Sequence, residues 1–201
     1  MVVKGFSIPV FAKYNYDAET KTVSYSNGMI NPHGISYTVT VESTENNPLY
    51  GDNRIIENDT PRFNTGTLSL GVDGLDGDTS KFILGVKNVE YPVGESLTVS
   101  EEVWDDDQAI PVLGVGFIEL HQNDDEDRYK AVILTKVKFN IPEQAANTKG
   151  DSVEWQTRTI EGTVSRSEQK DENYNHPWQM AAWFDTEDEA LAYLKKKLNA
   201  A

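Results

Sequence analysis

Two apolar runs of strand length, "PVLGVGFIEL" at 111–120 and "YKAVILTKVKFNI" at 129–141, bracket the acidic segment "HQNDDEDR". Nothing else in the chain constrains its fold as much. Val-, Ile- and Phe-rich runs bounded by polar residues read as strands, and the acidic segment between them reads as a hairpin tip. In the second run Tyr129, Ala131, Ile133, Val137 and Phe139 are expected on one face. The other face mixes Val132 and Leu134 with Lys130, Lys136 and Lys138, apolar at one end and wet at the other. Further strands are expected at 63–72, 152–165 and 176–184. At 35–43 Ile35, Tyr37, Val39 and Val41 alternate with Ser36, Thr38, Thr40 and Glu42, which predicts a half-buried strand.

Two helices are predicted. Residues 76–85 offer Asp and Thr as N-caps and Gly85 as a stop. Residues 186–198 open with a capping box, Thr186 and Glu189, and carry acids in the first turn and lysines in the last. Leu191, Leu194 and Leu198 form an apolar stripe. The fold class is therefore mainly β, with a helix at the flank. A chain of 201 residues can bury a substantial core as a single domain.

The charge narrows the partners. A net charge of −15 argues against a groove that grips nucleic acid, while an acidic surface suits one that nucleic acid must pass without sticking. With no cysteine there is no disulfide and no thiolate site. The N-terminal residues carry no apolar stretch of signal-peptide length, and folding in a cytoplasm is expected.

Catalytic signatures are missing. His33, His121 and His176 are far apart in sequence and form no metal-binding spacing. Gly114 and Gly116 in "LGVGF" lack the third glycine of a dinucleotide loop, and read better as strand glycines that permit close packing. Residues 101–127 hold ten Asp or Glu and no Lys or Arg. That invites a calcium reading, but no EF-hand spacing is present, and a solvated loop with a hairpin tip explains the acids as well. No cofactor and no metal is expected.

One segment stands apart. Residues 43–62, "STENNPLYGDNRIIENDTPR", read as a long loop without secondary structure, a feature usually functional in a compact domain. Leaving Leu49, Tyr50, Ile55 and Ile56 in water would cost about 1.5–3 kcal/mol per large side chain. Either the loop folds back on its own domain or a neighbouring molecule covers it; the residues leave both open. A second connector, "IPEQAANTKGD", joins two strands with no catalytic residue nearby. Pro142 is expected to end the first strand, and Gly150 with Asp151 to turn the chain into the second.

Taken in order, "NNPLYGDNRIIE" (46–57), "GTLSLGVDGL" leading into "FILGVK" (66–87), and "VLGVGFIEL…YKAVILTKVKFNIPEQAANTKGDSVEWQTRTIEGTV" resemble the major tail tube proteins of long-tailed, non-contractile bacteriophages. The resemblance covers roughly residues 5 to 165. It implies a β-sandwich flanked by an α-helix, with a long extended loop and terminal arms. Hexameric rings would stack into a tube, their inner sheets closing into one barrel that conducts DNA into the host cell. It also implies a virion protein without enzymatic activity, assembled in the bacterial host cytoplasm. Its partners would be further copies of itself, a tape measure protein, a tail terminator and distal tail proteins, with double-stranded DNA passing unbound. On this reading 1–201 is a single tail-tube domain with no additional immunoglobulin-like domain at its C-terminal end. Leu49, Tyr50, Arg54, Ile55 and Ile56 are the candidate self-assembly residues. Two alternatives stand beside it. One is the tube protein of a contractile tail, a tail-like bacteriocin or a secretion system. The other is a carbohydrate-binding sandwich using Trp178 and Trp183.

Overall fold

The computed structural model describes residues 2–30, 33–94, 96–123, 126–148 and 156–201. With 58% of residues in strands and 11% in helices, the chain is mainly β. In chain order the elements are β1 (Val2–Asp17), β2 (Thr22–Ile30), β3 (Gly34–Ser43), β4 (Pro48–Gly51), β5 (Arg54–Asn58), β6 (Phe63–Val72) and α1 (Gly77–Leu84). There follow β7 (Lys87–Pro92), β8 (Thr98–Val103), β9 (Val112–Asn123), β10 (Glu126–Phe139), β11 (Arg158–Ser165), β12 (Gln179–Phe184) and α2 (Glu187–Leu198).

The principal sheet runs β2-β1-β9-β10-β11-β6-β3, all pairs antiparallel. β10 is its corner. Along one side it pairs first with β12, from Tyr129 to Leu134, and then with β11, from Lys136 to Phe139. The β11-β6-β3 portion folds back over the central strands. Leu68, Leu70, Val72, Ile160 and Val164 thus share one core with Phe11, Leu113, Val115, Phe117, Val132 and Leu134. Ile83 and Leu84 of α1 join it. On the opposite face Val10, Ala12, Ile118, Ala131 and Ile133 pack against Ala190, Leu194 and Leu198 of α2. The result is a sandwich-like sheet with a helix on its outer face, open rather than closed in the single chain.

The central strands are buried on both faces, which is why they read as continuous apolar runs. Gly116 makes room for α2, since a Cβ there would lie 2.7 Å from Leu198 Cδ1 and 3.0 Å from Leu194 Cδ2; one on Gly114 would lie 2.4 Å from the Tyr25 ring and 3.1 Å from Leu198 Cδ2. Close packing is their role. Both helices begin and end where their caps place them. The Asp76 side chain accepts from the Thr79 N–H and Gly85 closes α1 at φ 69°; the Thr186 side chain accepts from the Glu189 N–H. Of the predicted stripe, Leu194 and Leu198 are buried with Ala190, and Leu191 is half-buried beside them.

Three expectations need correction. Phe139 and Val137 do not share a face with Ala131 and Ile133. Leu134 lies opposite Val115 and Val137 opposite Leu113, so β10 carries one extra residue, and this bulge swaps inward for outward. Val137 and Phe139 thereby join Val132 and Leu134 in the main core. Secondly, residues 43–62 are not without structure, because β4 and β5 pair as a hairpin. Thirdly, the N-terminal residues are no arm. β1 is the longest strand, zipped between β2 and β9, because Val10, Phe11 and Ala12 are fully buried. Of the strand expected at 152–165, Arg158–Ser165 forms. Residues 152–155 and the Gly150–Asp151 turn lie outside the described residues, as does part of the acidic tip, residues 124 and 125.

Candidate assembly interface

The β4–β5 hairpin follows from its turn. Gly51 pairs with Arg54, and the two residues between them, Asp52 and Asn53, sit at φ 50° and 60°. Two successive left-handed residues give the twist that a two-residue hairpin loop requires, and Asp and Asn tolerate that conformation better than other side chains. At the base, Thr44 N–H donates to Arg62 O at 2.8 Å, and Arg62 N–H donates to Thr44 Oγ1 at 2.9 Å. Asp59 N–H donates to Asn47 O at 3.4 Å. The two segments therefore stay side by side as they leave β3 and β6 for the ribbon.

Among the described residues nothing covers the ribbon's large side chains, and β4 and β5 pair only with each other. Leu49, Tyr50, Ile55 and Ile56 are 61%, 65%, 54% and 61% exposed. Ile56 is the extra residue of a bulge, opposite no partner, and its side chain lies over Gly51. Arg54, exposed beside the turn, is the ribbon's cation. A two-stranded ribbon is marginal in water, and four exposed large apolar groups make this one a surface that gains from being covered.

A second ribbon, β7–β8, was not legible as a site from the sequence. It pairs Tyr91 with Val99 and closes with Val93 N–H donating to Leu97 O at 2.8 Å. Val89, Tyr91, Val93 and Leu97 are each about half exposed. The alternation in "KNVEYP" and "LTVSEEV" is the signal that marks it. At its base Lys87 Nζ pairs with Asp105 at 2.9 Å and Asp107 at 3.4 Å, so part of the acidic run is engaged in a surface salt-bridge network.

The buried polar groups gather elsewhere. Glu119 and His121, two apart on one face of β9, are both buried, with His121 Nε2 and Glu119 Oε2 2.7 Å apart. Lys130 Nζ lies 3.2 Å from the same oxygen, and the Tyr37 hydroxyl of β3 donates to Oε1. Trp183, 43% exposed, meets the His121 ring edge-on at 4.7 Å. Burial alone would raise the Glu119 carboxyl. The hydrogen bonds from Tyr37, His121 and Lys130, together with the lysine's charge, outweigh it and hold the group below its usual range. Tyr37, desolvated and bonded to that carboxylate, is pushed well up. The cluster pins β3 across the sandwich to β9 and β10. Among the described residues no group of His, Asp or Glu is arranged to hold a metal ion. The Trp178 ring stacks on Phe63 at 4.6 Å. Neither the protein-family models nor the curated proteins contain a match to this sequence.

Proposed function

We propose that this chain is a structural virion protein, the tail tube subunit of a long-tailed, non-contractile phage. It acts by polymerising, and no step of chemistry is assigned to it. Copies assemble as hexameric rings, the rings stack into a tube, and DNA leaves the head through its bore. The observation that carries this reading is the β4–β5 ribbon, whose Leu49, Tyr50, Ile55 and Ile56 are more than half exposed and have no cover among the described residues. The motif order from 46 to 164 supports it, as does a principal sheet left open in the single chain. Open edges invite uncontrolled pairing, and closing several subunits into a barrel removes them. The net charge of −15 fits a conduit, since basic residues along the bore would hold phosphates in place.

The test is negative-stain electron microscopy of the concentrated protein beside light scattering for mass. Rings or hollow tubes are the expected result. A monodisperse species of 22.5 kDa at every concentration, and in the presence of an initiating tail-tip complex, would overturn it.

A further inference from the structure

Asn27 and Gly28 are the only Asn–Gly pair in the 201 residues, and the fold demands each member for its own reason. β2 carries a bulge here. Lys13 pairs with Ser26 and Phe11 with Met29, so Asn27 and Gly28 together stand opposite Ala12. Asn27 takes φ 54°, a left-handed conformation that asparagine tolerates better than most side chains. The end of the chain fixes Gly28. A Cβ on it would lie 2.5 Å from Ala200 Cα, and its N–H donates to Asn199 O at 3.0 Å. Gly28 and Ala200 form a parallel bridge, and Asn199 itself sits at φ 50° where α2 stops. The residues that follow α2 thus lie directly on the pair.

Asparagine followed by glycine is also the pair most prone to spontaneous deamidation, because a residue without Cβ leaves its own nitrogen unhindered. The Gly28 nitrogen attacks Asn27 Cγ, the Cγ–Nδ2 bond breaks, and ammonia leaves with the proton lost from Gly28. Water then opens the cyclic imide at either carbonyl. One opening gives aspartate; the other gives isoaspartate, with an extra methylene in the backbone. Here the electrophile is accessible, since Asn27 is exposed. The nucleophile is not, since Asn199 O holds its N–H and Ala200 lies against it. We propose that Asn27–Gly28 is a deamidation site gated by the docked C-terminal end of α2. Docking and cyclisation exclude each other, because the imide nitrogen has no hydrogen to give Asn199 O. Isoaspartate then lengthens β2 at its bulge and keeps the same contact from re-forming. A chain whose end leaves β2 is marked irreversibly, and a docked chain is not. The site is independent of the assembly reading.

The test follows the peptide that holds Asn27 by mass spectrometry while the protein stands in mildly alkaline buffer. Three samples are compared: the folded full chain, the same chain in urea, and a variant lacking Asn199 to Ala201. The folded full chain should convert at least about tenfold more slowly than the chain in urea, since reaction must wait for local opening. The shortened variant, shown to be folded by its melting, should convert at a rate approaching that in urea. If that variant does not fold, Asn199→Val takes its place, because a β-branched residue resists the left-handed conformation that brings the chain end onto β2. A folded full chain that converts as fast as in urea overturns the gate. Slow conversion in a folded variant also overturns it, and assigns the protection to the bulge alone.

Discussion

β9 with β10 and β4 with β5 are both antiparallel pairs rich in branched and aromatic side chains, yet one is buried on both faces and the other on neither. The central pair touches α2 on one side and the folded-back strands on the other, and Phe117, Ile118, Ile133 and Leu134 are fully buried there. The ribbon has four comparable side chains more than half exposed. Local chemistry therefore decides that each segment is extended; only the surroundings decide what that extension does. In the first pair the apolar groups hold the monomer together. In the second they stand largely in water and bury little within the monomer.

The sharpest way to break that contrast is to cut into the central pair. Phe117→Ala removes a fully buried ring that packs on Phe6 and Tyr37, and should cost about 3–5 kcal/mol in denaturant unfolding. A loss below 1 kcal/mol would mean that the folded-back strands collapse into the space, and that the sandwich is looser than its burial implies.

A second measurement concerns the polar clamp between the layers. Glu119 is held ionised below the ordinary glutamate value of 4.5. A depressed folded-state pKa stabilises the fold above the unfolded value, and that contribution is lost as pH falls through the folded one. At neutral pH Glu119→Gln should therefore melt lower than wild type, and the gap should close on acidification below pH 4.5. A gap independent of pH would show that the carboxylate's charge is not what ties β3 to β9 and β10.

How much of this was legible depended on whether a signal was local. The caps of α1 and α2, the strand at 63–72 and the packing role of Gly114 and Gly116 all follow from nearest-neighbour chemistry, and the structure has them in place. The face assignment of β10 failed at Thr135 and Lys136, because a bulge is set by pairing with β9 and leaves no mark in the alternation. β1 was missed because its period breaks twice, between Val3 and Gly5 and between Ser7 and Val10, at register shifts that only its pairing with β9 defines. The Asp52–Asn53 turn does have a local cue, a pair of residues that tolerate the left-handed conformation between Tyr50 and Ile55. Glu119 and His121 stood two apart in plain view. What they touch comes from β3 and β10, far off in sequence.

A smaller effect tests whether α2 is anchored locally or by the sheet. Thr186→Ala removes the side chain that accepts from the Glu189 N–H, and should cost about 1 kcal/mol. Its partner face, Ala190, Leu194 and Leu198 on the glycines of β9, stays in place, so the helix should shorten at its start rather than detach. Hydrogen exchange confined to the first turn is the expected signature. Exchange spreading through Leu198 would show that the cap, more than the packing, keeps the helix on the sheet.

The smallest expected change in the monomer is also the one with the largest consequence beyond it. Ile55→Asp/Ile56→Asp places two carboxylates on a ribbon that is solvated on both faces, so the stability of the dilute monomer should move by no more than about 0.5 kcal/mol. The same carboxylates driven into a contact with another copy would be buried without partners, which costs several kcal/mol, and rings and tubes should disappear. The two readouts separate the possibilities. Lost stability in the dilute monomer would mean that the ribbon packs on its own domain after all, and that its exposure is not its working state. Unchanged stability with normal tubes would place the assembly contact elsewhere, with β7–β8 the next surface to charge. Only unchanged stability with abolished tubes fits a ribbon kept apolar for the sake of a neighbour.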